Sequence, residues 1–341
     1  MRNDRILRGY KAAENIHHRY LTGLILRTVI TRGAADAAQL VFRLFRKQEE
    51  EKFLPGIEKL DLSDLPDAVK CAQYHYLSNW LGDVNVEYMY ESDTNAWVRY
   101  PPPRWIWDGT AVCGIPTEVS RAMMYAWHSN NGVLLNNPRL GFVCTKQTVD
   151  GQPGLEGYFI EYDREIEPKE RLRFAPGEEA PDFDPAKAPS LNRDEWPEER
   201  ERKALRNYAM EYVRNILPEI VQLFGPEEGR TLARTTGKLI GMQYYEETAA
   251  LLNVTDSSAE SFGKFMVRMG QGQGDDTASE TNNGETIVTQ STWRLMRGLE
   301  GLHPAVFDAW NGLWEGALAS HNRRLNMHVV FGNDIIKWTI R

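Results

Sequence analysis

Apolar residues in the first half of the chain recur at helical spacing before they begin to alternate as in a strand. Val41, Leu44 and Phe45 lie three and four positions apart, on one face of a helix. Val84 and Val86 then open a stretch of alternating apolar and polar residues, which is typical of a strand buried on one face. The predicted elements are helices over 8–54, interrupted near Thr31-Arg-Gly33, and over 63–82, strands over 84–91 and 97–100, a helix over 116–135, and strands over 140–149 and 158–162.

The second half of the chain repeats this order of elements. Its first helix carries one apolar stripe, formed by Leu205, Tyr208, Tyr212, Ile216, Ile220 and Phe224. The predicted elements of this half are helices over 200–224, 227–252 and 257–270, two strands within 276–296, of which Thr286–Leu295 is the clearer, a helix over 304–319, and strands over 325–331 and 335–340.

Residues 166–199 differ from both halves in composition, because charged residues and proline dominate them. The chain therefore divides into an N-terminal α+β unit (1–165), a charged, proline-rich linker (166–199) and a C-terminal α+β unit (200–341). Proline removes backbone hydrogen-bond donors and charged side chains favour water. We therefore expect residues 170–198 to lack regular secondary structure and to run over the surface.

Both halves thus read as helices followed by two strands, a helix and two strands. Asn137-Pro-Arg-Leu140 leads into the last hairpin of the first half, and Asn322-Arg-Arg-Leu325 stands at the same place in the second. The alternative is a coincidence between two α+β segments. We predict an α+β fold with an internal duplication of a helical segment plus an antiparallel ββαββ unit, forming a pseudo-symmetric body. The units near 63–163 and 257–341 should have the same strand order.

The composition of the chain bears on which partners and which cellular compartment we expect. The 341 residues include 40 basic and 48 acidic side chains, a net charge of −8, which disfavours non-specific nucleic-acid binding. Three cysteines are too few for a disulfide framework and favour a reducing compartment. The apolar stretch Leu21–Ile30 is too short to span a bilayer. We therefore expect a cytoplasmic protein with a small-molecule substrate and with no nucleic-acid or membrane partner; self-association into a homo-oligomer is left open.

The segment Asn137-Pro-Arg-Leu-Gly-Phe-Val-Cys-Thr-Lys-Gln-Thr-Val-Asp-Gly151, followed by Tyr158-Phe-Ile-Glu161, resembles the C-terminal end of the L-2-amino-thiazoline-4-carboxylic acid hydrolase family. The resemblance covers about 63–163 and, more faintly, 257–341, and it implies a fused double copy of a normally single unit. The resemblance also implies a hydrolysis that opens a ring by breaking a C–N bond. Tyr100-Pro101 stands where the family has Cys-Pro, and Gly157 stands near a second cysteine position. No cysteine is therefore carried over as nucleophile or ligand.

Three residues of the first half are candidates for acid–base catalysis. His75 has Asn79 at i+4, which could orient the imidazole and leave its other nitrogen to act as a base near neutral pH. Glu87 lies on the polar face of the first predicted strand and would be a general base if that face lines a cavity. His128 lies in the late helix and has no counterpart in the second half, as expected of a degenerated duplicate. The alternatives are a buried structural histidine, a solvated sheet face and a surface histidine, respectively.

The segment Trp97–Asp108 combines aromatic rings, arginines and three prolines. Stiff proline beside aromatic residues can form the wall of a pocket, and arginine can bind an anionic group. The substrate-binding candidates from this segment are Arg99, Arg104, Trp105, Trp107 and Asp108. The alternative is a proline-rich lid that packs its tryptophans on the sheet, with Arg99 paired to Glu87.

These features together predict a cytoplasmic hydrolase or lyase that acts on a small cyclic or aromatic, anionic molecule. His75 or Glu87 would act as the base, and Arg99 or Arg104 would anchor the anion. No metal ligand is assigned, and the cofactor is left open. A non-catalytic small-molecule sensor and a structural subunit of a larger complex remain alternatives. We expect a pocket in the N-terminal unit that is walled by Trp105 or Trp107 and contains His75, Glu87 or Arg99.

Overall fold

A computed structural model describes residues 2–103, 106–191, 194–332 and 335–341. Packing divides the chain into two compact units. The first, called here the N-terminal unit, comprises Thr28–Pro197. The second, the C-terminal unit, comprises Glu198–Arg341 together with the residues up to Arg27. The start of the chain therefore groups with the C-terminal unit, whereas the sequence placed it with the N-terminal one.

The N-terminal unit follows the predicted order of elements, and a glycine separates its first helices. Gly33 has φ 90°, a positive value that glycine adopts readily and that ends one helix before the next begins. This break lies at the predicted Thr31-Arg-Gly33. The elements are α1 (Arg2–Arg32), α2 (Ala34–Lys59), α3 (Asp67–Leu81), β1 (Glu87–Ser92), β2 (Asn95–Tyr100), α4 (Thr117–Ala126), α5 (Asn131–Leu134), β3 (Leu140–Lys146), β4 (Leu155–Glu161) and β5 (Leu172–Phe174).

The C-terminal unit also contains residues 2–27 of α1, and it repeats this order of elements from residue 198 on. Gly225, with φ 83°, separates its two long helices as Gly33 does in the other unit. The second strand of this unit ends at Gln290, so the predicted extension to Leu295 is wrong: Arg294–Met296 form a 3-10 turn. The elements are α6 (Glu198–Phe224), α7 (Pro226–Leu251), α8 (Ala259–Gln273), β6 (Thr277–Asn282), β7 (Glu285–Gln290), α9 (Pro304–His321), β8 (Met327–Gly332) and β9 (Ile335–Ile340).

The two sheets have the same strand order, which confirms that prediction. The N-terminal sheet is ordered β1-β2-β4-β3-β5 and the C-terminal sheet β6-β7-β9-β8. Their four matching strands are antiparallel, and β5 adds a parallel edge strand to β3.

The matched motifs adopt the same local structure. Asn137 accepts a hydrogen bond from the backbone N–H of Arg139, and Asn322 accepts one from Arg324, both at 3.0 Å. The Asn137 amide also donates to Asp67 in the first turn of α3 at 2.9 Å. The Asn322 amide donates at 2.9 Å to the carbonyl of Ser257, just before α8. In each unit this asparagine therefore ties the last hairpin to the start of the third helix.

The proline-rich segment is mostly irregular, as predicted, but it also contributes a strand and buried side chains to the N-terminal unit. Residues 172–174 form β5, so the predicted lack of regular structure is wrong there. Further along, the segment packs on the face of the sheet that points away from α3. Its side chains Ala175, Ala180 and Phe183 contact a cluster formed by Met89, Trp97, Val143 and Tyr158. The segment therefore completes the core of the N-terminal unit.

The predicted helix over 116–135 is interrupted in the structure. Helix α4 ends at Ala126, and after Trp127 the residues His128–Asn130 form a 3-10 turn before the single turn of α5. In the C-terminal unit, α9 runs unbroken through the corresponding place. A 3-10 stretch inside a helix often marks a functional hinge or a strained sequence.

In the described ranges, no helix combines the length and the apolar character that a membrane span requires.

Candidate functional site

A buried polar cluster occupies the interruption between α4 and α5. We call Glu49, His75, His128, Asn130 and Asn131 the Glu49–His75 cluster. The Asn130 amide donates to one carboxyl oxygen of Glu49 at 2.7 Å, and the Asn131 amide donates to the other at 2.9 Å. The side-chain oxygen of Asn131 lies 3.0 Å from Nε2 of His75. Asn131 therefore connects the carboxyl group of Glu49 to the imidazole.

The hydrogen bonds around His75 are consistent with one tautomer. Because the nitrogen of the Asn131 amide donates to Glu49, its oxygen is left to accept from Nε2–H of His75. The other ring nitrogen, Nδ1, then accepts from the hydroxyl of Tyr100 at 3.4 Å. Asn79, which the sequence suggested as the residue that orients the ring, instead donates from its amide to the carbonyl oxygen of His75 at 2.7 Å. The i+4 spacing aims that side chain at the backbone.

Aromatic rings enclose the imidazoles. The rings of His75 and His128 stack with their centroids 4.3 Å apart and their planes 12° apart. Phe159 stacks on His75 at 5.2 Å, and Phe142 lies 4.5 Å from His128. Burial lowers the pKa of His75 to about 4, against the opposing effect of its hydrogen bond with Asn131. His75 is therefore neutral at pH 7.

Glu49 is shifted in the opposite direction. Its side chain is fully buried, and burial raises its pKa to about 8. The hydrogen bonds from Asn130 and Asn131 and the charge of Arg46 favour ionisation but do not outweigh burial. The Arg46 guanidinium lies 3.8 Å from the carboxylate and donates to the carbonyls of Tyr125 and Ala126, at the end of α4. At pH 7 the cluster thus combines a protonated carboxyl group with a neutral imidazole.

A second polar group lies on the other face of the same sheet. Arg99 forms an ion pair with Glu87 and lies 3.6 Å from a carboxylate oxygen of Glu156. The ammonium group of Lys146 contacts Glu156 at 2.6 Å and Glu179 at 2.5 Å. Burial opposes the ionisation of Glu156, but hydrogen bonds and the charge of Lys146 outweigh it and lower the pKa of that carboxyl. These side chains therefore form a row of ion pairs in which negative and positive charges alternate.

The sheet separates these two groups. Neighbouring residues of a strand point to opposite faces, so Tyr100 reaches His75 on the helix side while Arg99 meets Glu87 on the other. The predicted residues His75, Glu87 and Arg99 therefore do not meet at one point. His75 and His128 do come together, although 53 positions separate them in the sequence. The pairing of Arg99 with Glu87 was the alternative that the sequence left open.

The structure describes only part of the aromatic, proline-rich segment that follows β2. Trp107 is buried, while Asp108 is exposed and directly precedes a 3-10 turn over Gly109–Gly114. Arg104 and Trp105 lie outside the described residues. The substrate-binding roles predicted for Arg99, Trp107 and Asp108 stay predictions.

Sequence reasoning missed Glu49, Asn130 and Asn131. Glu49 follows Phe45 by four residues and precedes Phe53 by four, so it lies on the apolar stripe of its helix. A glutamate in that position is the signal that could have identified it, because a lone charge on a buried face needs partners. Its neighbours Glu50 and Glu51 are exposed, so the run of charges by itself does not distinguish Glu49.

Within the part of the chain that the structure describes, no three His, Cys, Asp or Glu side chains converge as metal ligands would. A scan against protein-family models, a search of curated proteins and a search of solved structures each found no match to this chain. The likeness to the L-2-amino-thiazoline-4-carboxylic acid hydrolase family therefore rests on the residues quoted for it above.

Proposed function

We propose that the N-terminal unit is a hydrolase or lyase whose acid–base centre is the Glu49–His75 cluster. The observation that carries this proposal is the link through Asn131 between a buried carboxyl group and an imidazole whose pKa values are shifted in opposite directions. Burial shifts both groups towards their neutral forms at pH 7, and strongly perturbed pKa values of this kind cluster at functional sites. Protonated Glu49 supplies the acid and neutral His75 the base.

The surroundings of the cluster favour a small cyclic or aromatic substrate. The rings of His75, His128, Phe142 and Phe159 stack on one another and give the cluster an apolar, aromatic environment, and aromatic side chains favour contact with planar rings. Ring-opening hydrolysis is the reaction that the family resemblance implies for a substrate of this kind. We place the enzyme in the cytoplasm, because its three cysteines are free thiols.

A panel of heterocyclic and aromatic carboxylic acids, including thiazoline and lactam rings, tests this function with product detection by mass spectrometry. The informative variant is Glu49→Gln, which keeps the shape of the side chain and removes its acid. Glu50→Gln is the matched control, because Glu50 is the exposed next residue on the same helix. We expect the wild-type protein and the Glu50 variant to form product and the Glu49 variant to lose at least about 100-fold in rate. Equal turnover by all three proteins would exclude the cluster as the catalytic centre.

A non-catalytic binding protein is the second candidate function. It is favoured by the hydrogen bonds of His75, since both ring nitrogens already have protein partners, Asn131 and Tyr100. A satisfied imidazole is a poorer base than one that faces an open site. Equilibrium dialysis with the same panel separates the two functions: a binding protein would retain a compound without converting it.

A further inference from the structure

The C-terminal unit contains a cleft of about 90 Å³ that is lined by three arginines. Arg5 and Arg8 come from α1, and Arg268 comes from α8. The remaining lining residues are Ile6, Gly9, Leu251, Leu252, Asn253, Gln271 and Gly272. A space of this size holds several water molecules or one small ion of a few heavy atoms.

A close crossing of two helices assembles the cleft. Gly9 of α1 and Gly272 of α8 touch backbone to backbone, and a Cβ atom added to Gly9 would lie 3.2 Å from the Cα of Gly272. Arg5 and Arg8 lie within one turn of Gly9, and Arg268 lies one turn before Gly272. The glycine contact therefore brings guanidinium groups from both helices to the same side of the crossing.

The cleft holds more positive than negative charge. Arg8 pairs with Asp4 at 2.9 Å and, with the Asn253 amide oriented to accept, also donates to Asn253 at 3.0 and 3.2 Å. Arg5 donates to the side-chain oxygen of Gln271 at 2.8 Å. Across the described residues, neither Arg5 nor Arg268 has a carboxylate within 4.0 Å. Three guanidinium groups thus share one carboxylate, which leaves two positive charges.

One nitrogen of the Arg268 guanidinium, Nη1, stabilises the end of a helix. This nitrogen donates to the carbonyl of Leu252 and, at 2.9 Å, to that of Asn253, so it caps the C-terminal end of α7. Nε and Nη2 of Arg268 have no acceptor among the residues that the structure describes. Burial, followed by the charges of Arg5 and Arg8, lowers the pKa of Arg268. A capping role alone does not account for three cations at one cleft.

We propose that this cleft binds a doubly charged oxyanion of the phosphate type. Guanidinium groups bind such oxygens with paired, charge-assisted hydrogen bonds, and the two unmatched positive charges equal the charge of a phosphate dianion. The inference is independent of the function proposed for the N-terminal unit, because every lining residue belongs to the C-terminal unit.

Titration calorimetry of the full chain with inorganic phosphate tests the proposal, with chloride at equal ionic strength as the control ion. The informative variants are Arg5→Met, at an exposed position whose loss leaves the cap of α7 intact, and Arg268→Met. Lys264→Met is the matched control, because Lys264 lies on α8 one turn before Arg268 and is exposed. Glycerol phosphate, titrated in parallel, distinguishes a site for free phosphate from one that accepts a phosphate monoester.

We expect phosphate to bind the wild-type protein and Lys264→Met with equal affinity, and Arg5→Met at least about tenfold more weakly, the scale of one lost charge-assisted hydrogen bond. Chloride should give no saturable heat. Absence of saturable phosphate binding to the wild-type protein would overturn the proposal. Equal weakening by Lys264→Met and Arg5→Met would also overturn it, because it would show a general effect of surface charge. If Arg268→Met does not fold, the Arg5 and Lys264 variants still decide the question.

Discussion

Replacing Glu49 with glutamine should change how the stability of the N-terminal unit depends on pH. The folded structure raises the pKa of Glu49 from 4.5 to about 8, so the folded unit holds a proton there that the unfolded chain releases. A raised carboxyl pKa contributes stability that is fully present below pH 4.5 and is lost as the pH rises through 8. The whole shift corresponds to roughly 5 kcal/mol, of which about 1.5 kcal/mol is lost between pH 6.5 and 8.0.

The interval from pH 6.5 to 8.0 isolates this carboxyl group. The pKa of His75 is lowered to about 4, so its contribution changes mainly below pH 6.5 and, being common to both proteins, cancels in their difference. Glutamine at position 49 would also place an amide nitrogen against the amide nitrogen of Asn130 or Asn131. That mismatch should destabilise the variant by about 1–3 kcal/mol at pH 6.5. The difference between the two proteins should then shrink by about 1.5 kcal/mol at pH 8.0.

Thiol labelling in urea measures the unfolding of the N-terminal unit alone, because all three cysteines lie within that unit. Cys71 and Cys144 are buried and react only on unfolding, whereas exposed Cys113 is replaced by serine in every protein tested. Labelling of the fully unfolded chain at each pH corrects for the ionisation of the thiols. Parallel pH profiles for Glu49→Gln and the wild-type protein would refute the assignment of a protonated Glu49 and, with it, the acid of the proposed mechanism.

Two pairs of substitutions test the architecture. Asn137→Ala and Asn322→Ala each remove two hydrogen bonds, one within the turn and one to the start of the third helix, so chemical denaturation should show a loss of about 1–3 kcal/mol for each, confined to its own unit. No measurable loss in either variant would contradict the role of that asparagine in tying the hairpin to the helix. Gly241→Ala places a Cβ against the backbone oxygen of Leu313 and should cost about 1–3 kcal/mol, whereas Gly177→Ala, with no atom within 4 Å, should change the melting temperature little. Equal effects of the two glycine variants would refute the close packing of α7 on α9.

The periodicity of the sequence was sufficient for the fold because local signals and tertiary packing agree in most elements. The helix break at Gly33 and the matched positions of Asn137 and Asn322 could be predicted, since Gly33 ends its helix and each asparagine accepts from the backbone N–H two residues later. The hydrogen bonds from the asparagine amides to the third helices join distant residues and were not predicted. The end of β7 was misplaced because Trp293 and Leu295 continue the apolar composition after the strand pairing has ended at Gln290.

The candidate site was only half predictable. His75 and His128 were identified as unusual residues, but their stacking depends on the interruption after α4, which no proline or glycine in 117–130 announces. Glu87 and Arg99 were placed near His75 because short connections keep neighbouring elements adjacent. Adjacency does not decide the face of a sheet, and the alternation of β2 put Arg99 on the side opposite Tyr100.

A comparison of equivalent positions explains why only one unit holds a buried carboxyl group at this place. Glu49 and Gly241 each stand 16 residues after the glycine that opens their helix, Gly33 and Gly225. At Gly241 the absence of a side chain lets α7 lie directly against the backbone of α9, which stays continuous. A glutamate in the same position cannot permit that contact.

In the N-terminal unit the late helix is instead interrupted, and the freed Asn130 and Asn131 bind the carboxyl group that fills the space. A buried carboxyl group that replaces a glycine contact gives up tight backbone packing and has to be desolvated. Its hydrogen bonds recover only part of that cost, because the pKa of Glu49 remains raised to about 8. The acid at position 49 is therefore held at a cost in stability, which is what we expect where the chemistry of the group is used.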